Sequence, residues 1–136
     1  MQNQIVNWIE ARGLSDCVTL LGHRHDVPAV LASLSTLVLP STAHEGIPQI
    51  ILQGQAMGRP VIGSRVGGLP EVIENEVSGL LVEPRQPMEL AAAIQRVIQD
   101  PVFAQQLGAQ ALIRGREQYS VERMADRLEA LYFSAG

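Results

Sequence analysis

Short apolar runs alternate with segments of helical spacing along the first two thirds of the chain. Four continuous runs are suited to buried strands, at residues 18–21, 36–39, 60–64 and 79–83. Between them, apolar residues recur at helical spacing in 4–13, 27–34 and 48–57. Short continuous strands separated by helices are typical of a parallel sheet that helices cover on both faces. The pattern therefore predicts an α/β, Rossmann-like fold.

The last fifty residues follow a different pattern. From Met88 onward the spacing is helical only, and it predicts helices over 87–99, 101–115 and 121–132. Breaks fall at Asp100-Pro101 and at Ser120. No internal repeat or linker interrupts the chain, so we expect residues 1–136 to form one domain whose 87–136 portion is mainly helical.

Composition narrows the class of protein. The 136 residues include ten Arg, no Lys and fourteen acidic residues, for a formal charge of −4. Because the arginines are scattered, the chain is not expected to bind nucleic acid or an anionic membrane. A single cysteine, Cys17, excludes an intrachain disulfide and a cysteine-based zinc site. The sequence contains neither a membrane-spanning run nor a signal peptide, so a cytoplasmic location is expected.

Two segments that combine glycine and proline follow the second and third predicted strands. Gly46 precedes Pro48 at one helix start, and Gly67-Gly68 precede Pro70 at the next. Glycine permits close approach of a ligand to the backbone, and a helix start offers free N–H groups that suit phosphate. The carboxylate of Glu45 would repel phosphate but suits hydroxyl groups. The two segments together predict a ligand that carries a diphosphate and polyol groups.

Four sequence blocks carry a resemblance to a known family. They are residues 45–48 (EGIP), 58–64 (GRPVIGS), 67–73 (GGLPEVI) and 79–82 (GLLV). In this order they resemble the carboxyl-terminal domain of family-four retaining glycosyltransferases of the GT-B fold. The resemblance covers nearly the whole chain. It implies a transferase that moves a sugar from a nucleotide-diphosphate donor to an acceptor with retention, without a metal or another cofactor.

The resemblance also implies roles for individual residues. In that family two glutamates eight positions apart handle the donor; the first matches Glu45, the catalytic candidate, which contacts the donor sugar. The second contacts the ribose, and Gln53 stands in its place. Gln53 can still bond to a hydroxyl, but without the acceptor strength of a carboxylate. The other candidates for donor binding are Gly46, Ile47, Gly67, Gly68, His44, His23 and Arg24.

Besides the replacement of the second glutamate by Gln53, the chain differs from the family at the start of the domain. The family's domain opens with two strands and a loop that carries an Arg and a Lys for the diphosphate, and this chain has no Lys. The two absent strands would lie between residues 18–21 and 36–39. Either 18–21 moves in to pair with 36–39, or a second copy or the rest of a longer protein fills the gap. Arg65 or Arg85 is then a candidate substitute for the absent phosphate-binding residues.

The chain is accordingly interpreted as a fragment of a glycosyltransferase that is inactive alone. A missing amino-terminal domain would bind a carbohydrate, lipid or other acceptor, and the parent protein could lie at the inner membrane face. Two alternatives stay open, a non-catalytic nucleotide-binding or assembly module and a sugar-nucleotide epimerase of the same architecture. A dinucleotide oxidoreductase is disfavoured because no Gly-x-Gly-x-x-Gly follows a strand. The His23-x-His25 pair is not expected to bind metal, and Asp26 is predicted to cap a helix.

Overall fold

Helices and short strands alternate in the computed structural model, which describes residues 2–43 and 46–134. The elements in chain order are α1 (Gln2–Ala11), α2 (Val27–Ser33), β1 (Leu37–Leu39), α3 (Gln49–Ala56), β2 (Val61–Ser64), α4 (Leu69–Val72), β3 (Leu80–Val82), α5 (Pro87–Gln99), α6 (Pro101–Tyr119) and α7 (Val121–Ser134).

The three strands form one parallel sheet in the order β1-β2-β3. Leu37 pairs with Val61 across the first ladder, and Ile62 pairs with Leu80 across the second. Each pair of strands is joined through a helix, as parallel connections require. All four residues of the central strand are buried, which agrees with its continuous apolar character. The predicted α/β, Rossmann-like fold is confirmed.

The sheet is covered on both faces. On one face Val61 and Leu81 pack with Ile51 of α3 and with Leu69 and Val72 of α4. On the other face the alternate strand residues pack with α5 and α6; this second core consists of Ile62, Leu80, Val82, Val97 and Leu107. The faces alternate with the period of two that strands impose, so the residue that ends β2 necessarily faces α5.

The predicted strand at residues 18–21 is wrong. This segment forms no strand in the structure, and Val18, Leu20 and Leu21 are 40–53% exposed. It does not pair with β1, which excludes the first of the three ways to fill the gap. The Leu37 N–H donates to Pro60 O at 2.9 Å, so the alternation of a parallel ladder turns the N–H and C=O of Val38 outward. The outer edge of β1 is therefore open.

Two further boundary predictions need correction. Asp26 occupies the position before α2, but its side chain makes no capping hydrogen bond. It bonds instead to Arg24, whose Nε donates to Asp26 Oδ1 at 2.7 Å. The helix expected to end at residue 115 continues to Tyr119. Within the described part of the chain, no helix is both long and apolar enough to cross a membrane.

Candidate functional site

The loops that follow the three strands meet at one end of the sheet. They are residues 40–48 after β1, 65–68 after β2 and 83–86 after β3. In an open parallel sheet the carboxyl ends of the strands are the usual place for a ligand. Of the predicted donor-binding residues, Gly46 and Ile47 fall in the first loop and Gly67 and Gly68 in the second, whereas Gln53 lies within α3 and His23 and Arg24 lie before α2.

The first two loops are in close contact. A Cβ added to Gly68 would lie 2.8 Å from Ile47 Cγ1 and 3.0 Å from Gly46 O, so only glycine fits there without displacing the other loop. Gly67 has φ +52°, in the left-handed region that side chains rarely adopt. The two glycines are thus required for different reasons, and the fold brings the predicted residues Gly46, Ile47, Gly67 and Gly68 together.

The start of α3 faces the same end of the sheet. Pro48 has φ −71° in an extended conformation just before the helix, and its side chain supplies no cap. The N–H groups of Gln49 and Ile50 have no acceptor within the helix, as in the first turn of any helix. They are available to an anion. The helix that follows β2 offers a weaker site for an anion than the sequence predicts. This helix, α4, is a single turn of four residues, so its dipole is small.

Gln53 lies on α3 one turn beyond Gln49. Its side chain is exposed and has no hydrogen-bond partner among the residues the structure describes. By contrast Gln55 is fully buried, and its Nε2 donates to Val72 O at 2.8 Å. The buried Gln55 Oε1 has no hydrogen-bond partner among the described residues. Sequence reasoning missed the link that Gln55 makes between α3 and α4, since only its place between the small residues Gly54 and Ala56 could have indicated it.

Two candidates cannot be placed. Glu45, the catalytic candidate, and His44 lie outside the described residues. The flanking residues Ala43 and Gly46 are both exposed at the carboxyl end of the sheet.

His23 and Arg24 lie in the segment before α2. The ring of His23 makes an edge contact with His25, with centroids 4.8 Å apart. Arg24 makes two bonds to Asp26 and thereby lowers the pKa of that carboxyl group. Among the described residues there is no cluster of three or more potential metal ligands.

The two candidate phosphate-binding arginines differ. Arg65 Nε donates to Glu83 Oε1 at 3.0 Å, so the charge of Arg65 is paired across the ends of β2 and β3. Arg85 has no partner in the described part of the chain and has φ +61°. Of the two, Arg85 is the free cation.

Comparison with known proteins assigns the family. Residues 2–100 match the family model described as glycosyl transferases group 1. The chain belongs to the group 1 glycosyltransferase family. It is 31% identical over 129 residues to alpha-D-kanosaminyltransferase of Streptomyces kanamyceticus, covering 94% of this chain and 33% of that protein. It is also 30% identical to N-acetyl-alpha-D-glucosaminyl L-malate synthase of Bacillus anthracis, and the match covers 95% of this chain and 34% of that protein.

Solved structures of longer chains show the same fold. The structure of Anabaena HepE in complex with UDP matches with a TM-score of 0.93 and 26% identity, covering 97% of this chain and 36% of that one. Sucrose-phosphate synthase of Thermosynechococcus elongatus matches with a TM-score of 0.87 and 34% identity, covering 98% and 35%. The chain spans about a third of the length of these relatives, as a partial carboxyl-terminal domain of the GT-B fold does.

Proposed function

We propose that this chain is the donor-binding part of a glycosyltransferase that transfers a sugar from a nucleotide diphosphate to an acceptor with retention. The observation that carries the proposal is the contact of Gly46 and Ile47 with Gly68 at the carboxyl ends of two adjacent strands. Gly46 and Ile47 are exposed there beside the free N–H groups of α3, an arrangement suited to a diphosphate. The similarity to UDP-bound HepE supports a nucleotide ligand.

The proposed chemistry follows from the charge that develops during transfer. The bond between the anomeric carbon and the donor phosphate oxygen breaks, and the acceptor oxygen bonds to that carbon on the same face. The acceptor proton passes to the departing diphosphate. Backbone N–H groups at Gly46, Ile47 and the start of α3 stabilise the negative charge on the leaving group without a metal ion. Glu45 holds the hydroxyls of the donor sugar, and Gln53 holds the ribose.

Other parts of the proposal concern the protein around this segment. The acceptor, whether carbohydrate, lipid or another molecule, binds to a domain outside this chain, and the isolated 136 residues turn over little or no substrate. Strands from a longer parent protein, or from a second copy of this chain, complete the sheet at the open edge of β1. Equilibrium sedimentation tests the second option, and a monomer at high concentration would count against it.

A non-catalytic module is the second candidate. Gln53 in place of the expected glutamate, together with the absence of Lys, favours a site that has lost part of its function. The intact contact between Gly46 and Gly68 favours a working site.

Nucleotide binding to the full chain distinguishes a donor site from a non-catalytic assembly module that binds no nucleotide. Two-dimensional amide NMR spectra are recorded during titration with UDP, GDP and inorganic diphosphate. A donor site predicts shifts at Gly46, Ile47, Gln53 and Gly68 that depend on the nucleotide. Dispersed peaks that no nucleotide moves would favour the non-catalytic module.

The variant Gln53→Glu tests the ribose role. A charged acceptor makes a stronger hydrogen bond by about 1 kcal/mol, so affinity for the preferred nucleotide should rise roughly fivefold. Gln110→Glu introduces the same charge on the exposed surface of α6 and should leave the affinity unchanged. Equal effects of the two variants would contradict a contact between Gln53 and the ribose.

A further inference from the structure

A second cleft opens at the carboxyl end of the sheet, on the face that packs against α5. Its volume is about 180 Å³. Ser64 ends β2 on this face, whereas its neighbour Gly63 faces Leu69 and Ile73 on the other side. The cleft is therefore separate from the contact between Gly46 and Gly68. Its lining is mixed and includes Thr42, Ser64, Glu83, Arg85, Gln86 and Leu90.

Ser64 supplies a buried polar group at the base of the cleft. The residue is 3% exposed, and its hydroxyl has no hydrogen-bond partner among the described residues. The oxygen of Ser64 is not one of the enclosed side-chain atoms that lack a partner, so the hydroxyl opens into the cleft. Because Ser64 lines the cleft, a molecule bound there can supply the partner.

Arg85 supplies a positive charge at the rim that no described residue pairs with. The nearby carboxylates have other partners: Glu83 accepts from Arg65, and Glu89 Oε2 accepts from the Glu83 N–H at 3.2 Å. Arg85 itself holds φ +61°, which side chains rarely adopt. A long charged side chain in this conformation suggests a use for its guanidinium group.

The start of α5 contributes hydrogen-bond donors to the same cleft. Gln86 stands before this thirteen-residue helix, and its side chain makes no capping bond. The first-turn N–H groups of α5 have no acceptor within the helix. A guanidinium group, a hydroxyl and helix N–H groups are the donors that bind a tetrahedral oxyanion in proteins.

We infer that this cleft binds the phosphate group of a small phosphorylated molecule. The volume corresponds to about six water molecules, enough for a phosphate and the atoms next to it. Arg85 pairs with the phosphate oxygens, and the Ser64 hydroxyl donates to one of them. The site does not depend on the proposed nucleotide site, because the two lie on opposite faces of the sheet.

The test uses amide NMR spectra of the full chain at constant ionic strength. Inorganic phosphate and a hexose 6-phosphate are each titrated to about 10 mM, and glucose serves as the uncharged control. We expect both phosphates to shift Ser64, Arg85 and Gln86, with Gly68 unchanged. A response to the hexose phosphate alone would identify the ligand as an ester and not free phosphate. No shift with either compound, or equal shifts with glucose, would overturn the inference.

Three variants separate binding from folding. Arg85→Gly removes the guanidinium group and relieves the left-handed backbone, so phosphate affinity should fall at least roughly tenfold while Tm stays equal or rises. Ser64→Ala should weaken binding several-fold with the fold intact. Arg123→Gln removes the same charge from the exposed face of α7 and should leave binding unchanged. Unchanged affinity in Arg85→Gly, or an equal loss in Arg123→Gln, would refute the assignment.

Discussion

Two glycines in α6 should respond in opposite ways to the same substitution. Gly108 lies where α6 crosses the turn between α3 and β2. A Cβ at Gly108 would lie 2.2 Å from Gly58 O and 3.1 Å from Gly58 C, and both are backbone atoms. A Cβ at Gly115, two turns later, would have Ala56 N at 3.9 Å and Gln55 Cβ at 4.0 Å, which are ordinary contacts.

The geometry gives the magnitude of each effect. In a helix interior, alanine is more favourable than glycine by about 1 kcal/mol. Gly115→Ala should therefore raise the free energy of unfolding by up to about 1 kcal/mol. Gly108→Ala gains the same helix stabilisation. However, real Cβ atoms are essentially never closer than 3.0 Å to such an atom, and this one would lie 2.2 Å from Gly58 O, so the backbone must move by at least 0.8 Å.

The turn at Gly58 resists that movement. Gly58 has φ +66°, and its N–H donates to Gln55 O at 2.9 Å, while the next residue's N–H donates to Gly54 O at 3.0 Å. Overpacking of a rigid core costs typically about 1–3 kcal/mol. After the helix gain is subtracted, Gly108→Ala should lower the free energy of unfolding by up to about 2 kcal/mol.

Urea denaturation followed by circular dichroism measures both changes in the full chain. The difference between the variants should equal the overpacking cost, about 1–3 kcal/mol, with Gly115→Ala the more stable. If Gly108→Ala were as stable as Gly115→Ala, the close packing of α6 on the Gly58 turn would be refuted.

Two smaller predictions concern polar side chains. Asp100 Oδ1 accepts from the Phe103 N–H at 2.9 Å at the start of α6, so Asp100→Ala should lower the free energy of unfolding by about 1 kcal/mol in the same assay, and no change would contradict the cap. The hydrogen bond from Arg24 lowers the pKa of Asp26 in the folded protein. The pair therefore stabilises the fold fully at pH values above the usual aspartate pKa, and this stabilisation is lost as the pH falls through the lowered pKa of Asp26. An NMR titration should show the Asp26 midpoint rising in Arg24→Gln, and an unmoved midpoint would exclude the pair.

Apolar runs in the sequence predicted three strands correctly and one wrongly. Residues 36–39, 60–64 and 79–83 contain the observed strands within one residue at each end. Residues 18–21 have the same local character, yet no strand of the described chain lies beside them. Strand formation depends on a hydrogen-bonding neighbour, and that information is absent from a local pattern. The sequence therefore shows which segments favour strands and not which ones find a partner.

The prediction that α6 ends at residue 115 was wrong for a related reason. Glycine inside a helical pattern is a common stop signal, but it also occurs within helices where a neighbour packs closely. Beyond Gly115 the last turn of α6 is held by Tyr119, whose hydroxyl donates to Glu71 O at 2.9 Å across 48 residues of sequence. Such a long-range contact overrides local propensity.

At the candidate site, the glycines were predicted from local geometry, and one of them acts through tertiary contact. The positive φ of Gly67 is a local backbone requirement that glycine meets readily. Gly68 is required because another loop lies against it, and no local pattern reports that. At Asp26 the local pattern predicted a role that the structure does not show. Aspartate is a good capping residue, but the Asp26 carboxylate pairs with Arg24 and does not cap α2.

The two edges of the sheet differ in a way that bears on the site. At the β3 edge, Asn75 Oδ1 accepts from the Leu81 N–H at 2.8 Å, and Glu89 accepts from the Glu83 N–H. These side chains occupy the donors that an added strand would need. At the β1 edge the peptide groups of Val38 remain available, so further strands can join the sheet at β1 and are blocked at β3. Because the loop that carries Gly46 follows β1 directly, any chain that pairs with β1 also lies beside the proposed donor site. Completion of the sheet and completion of that site are therefore expected to occur together.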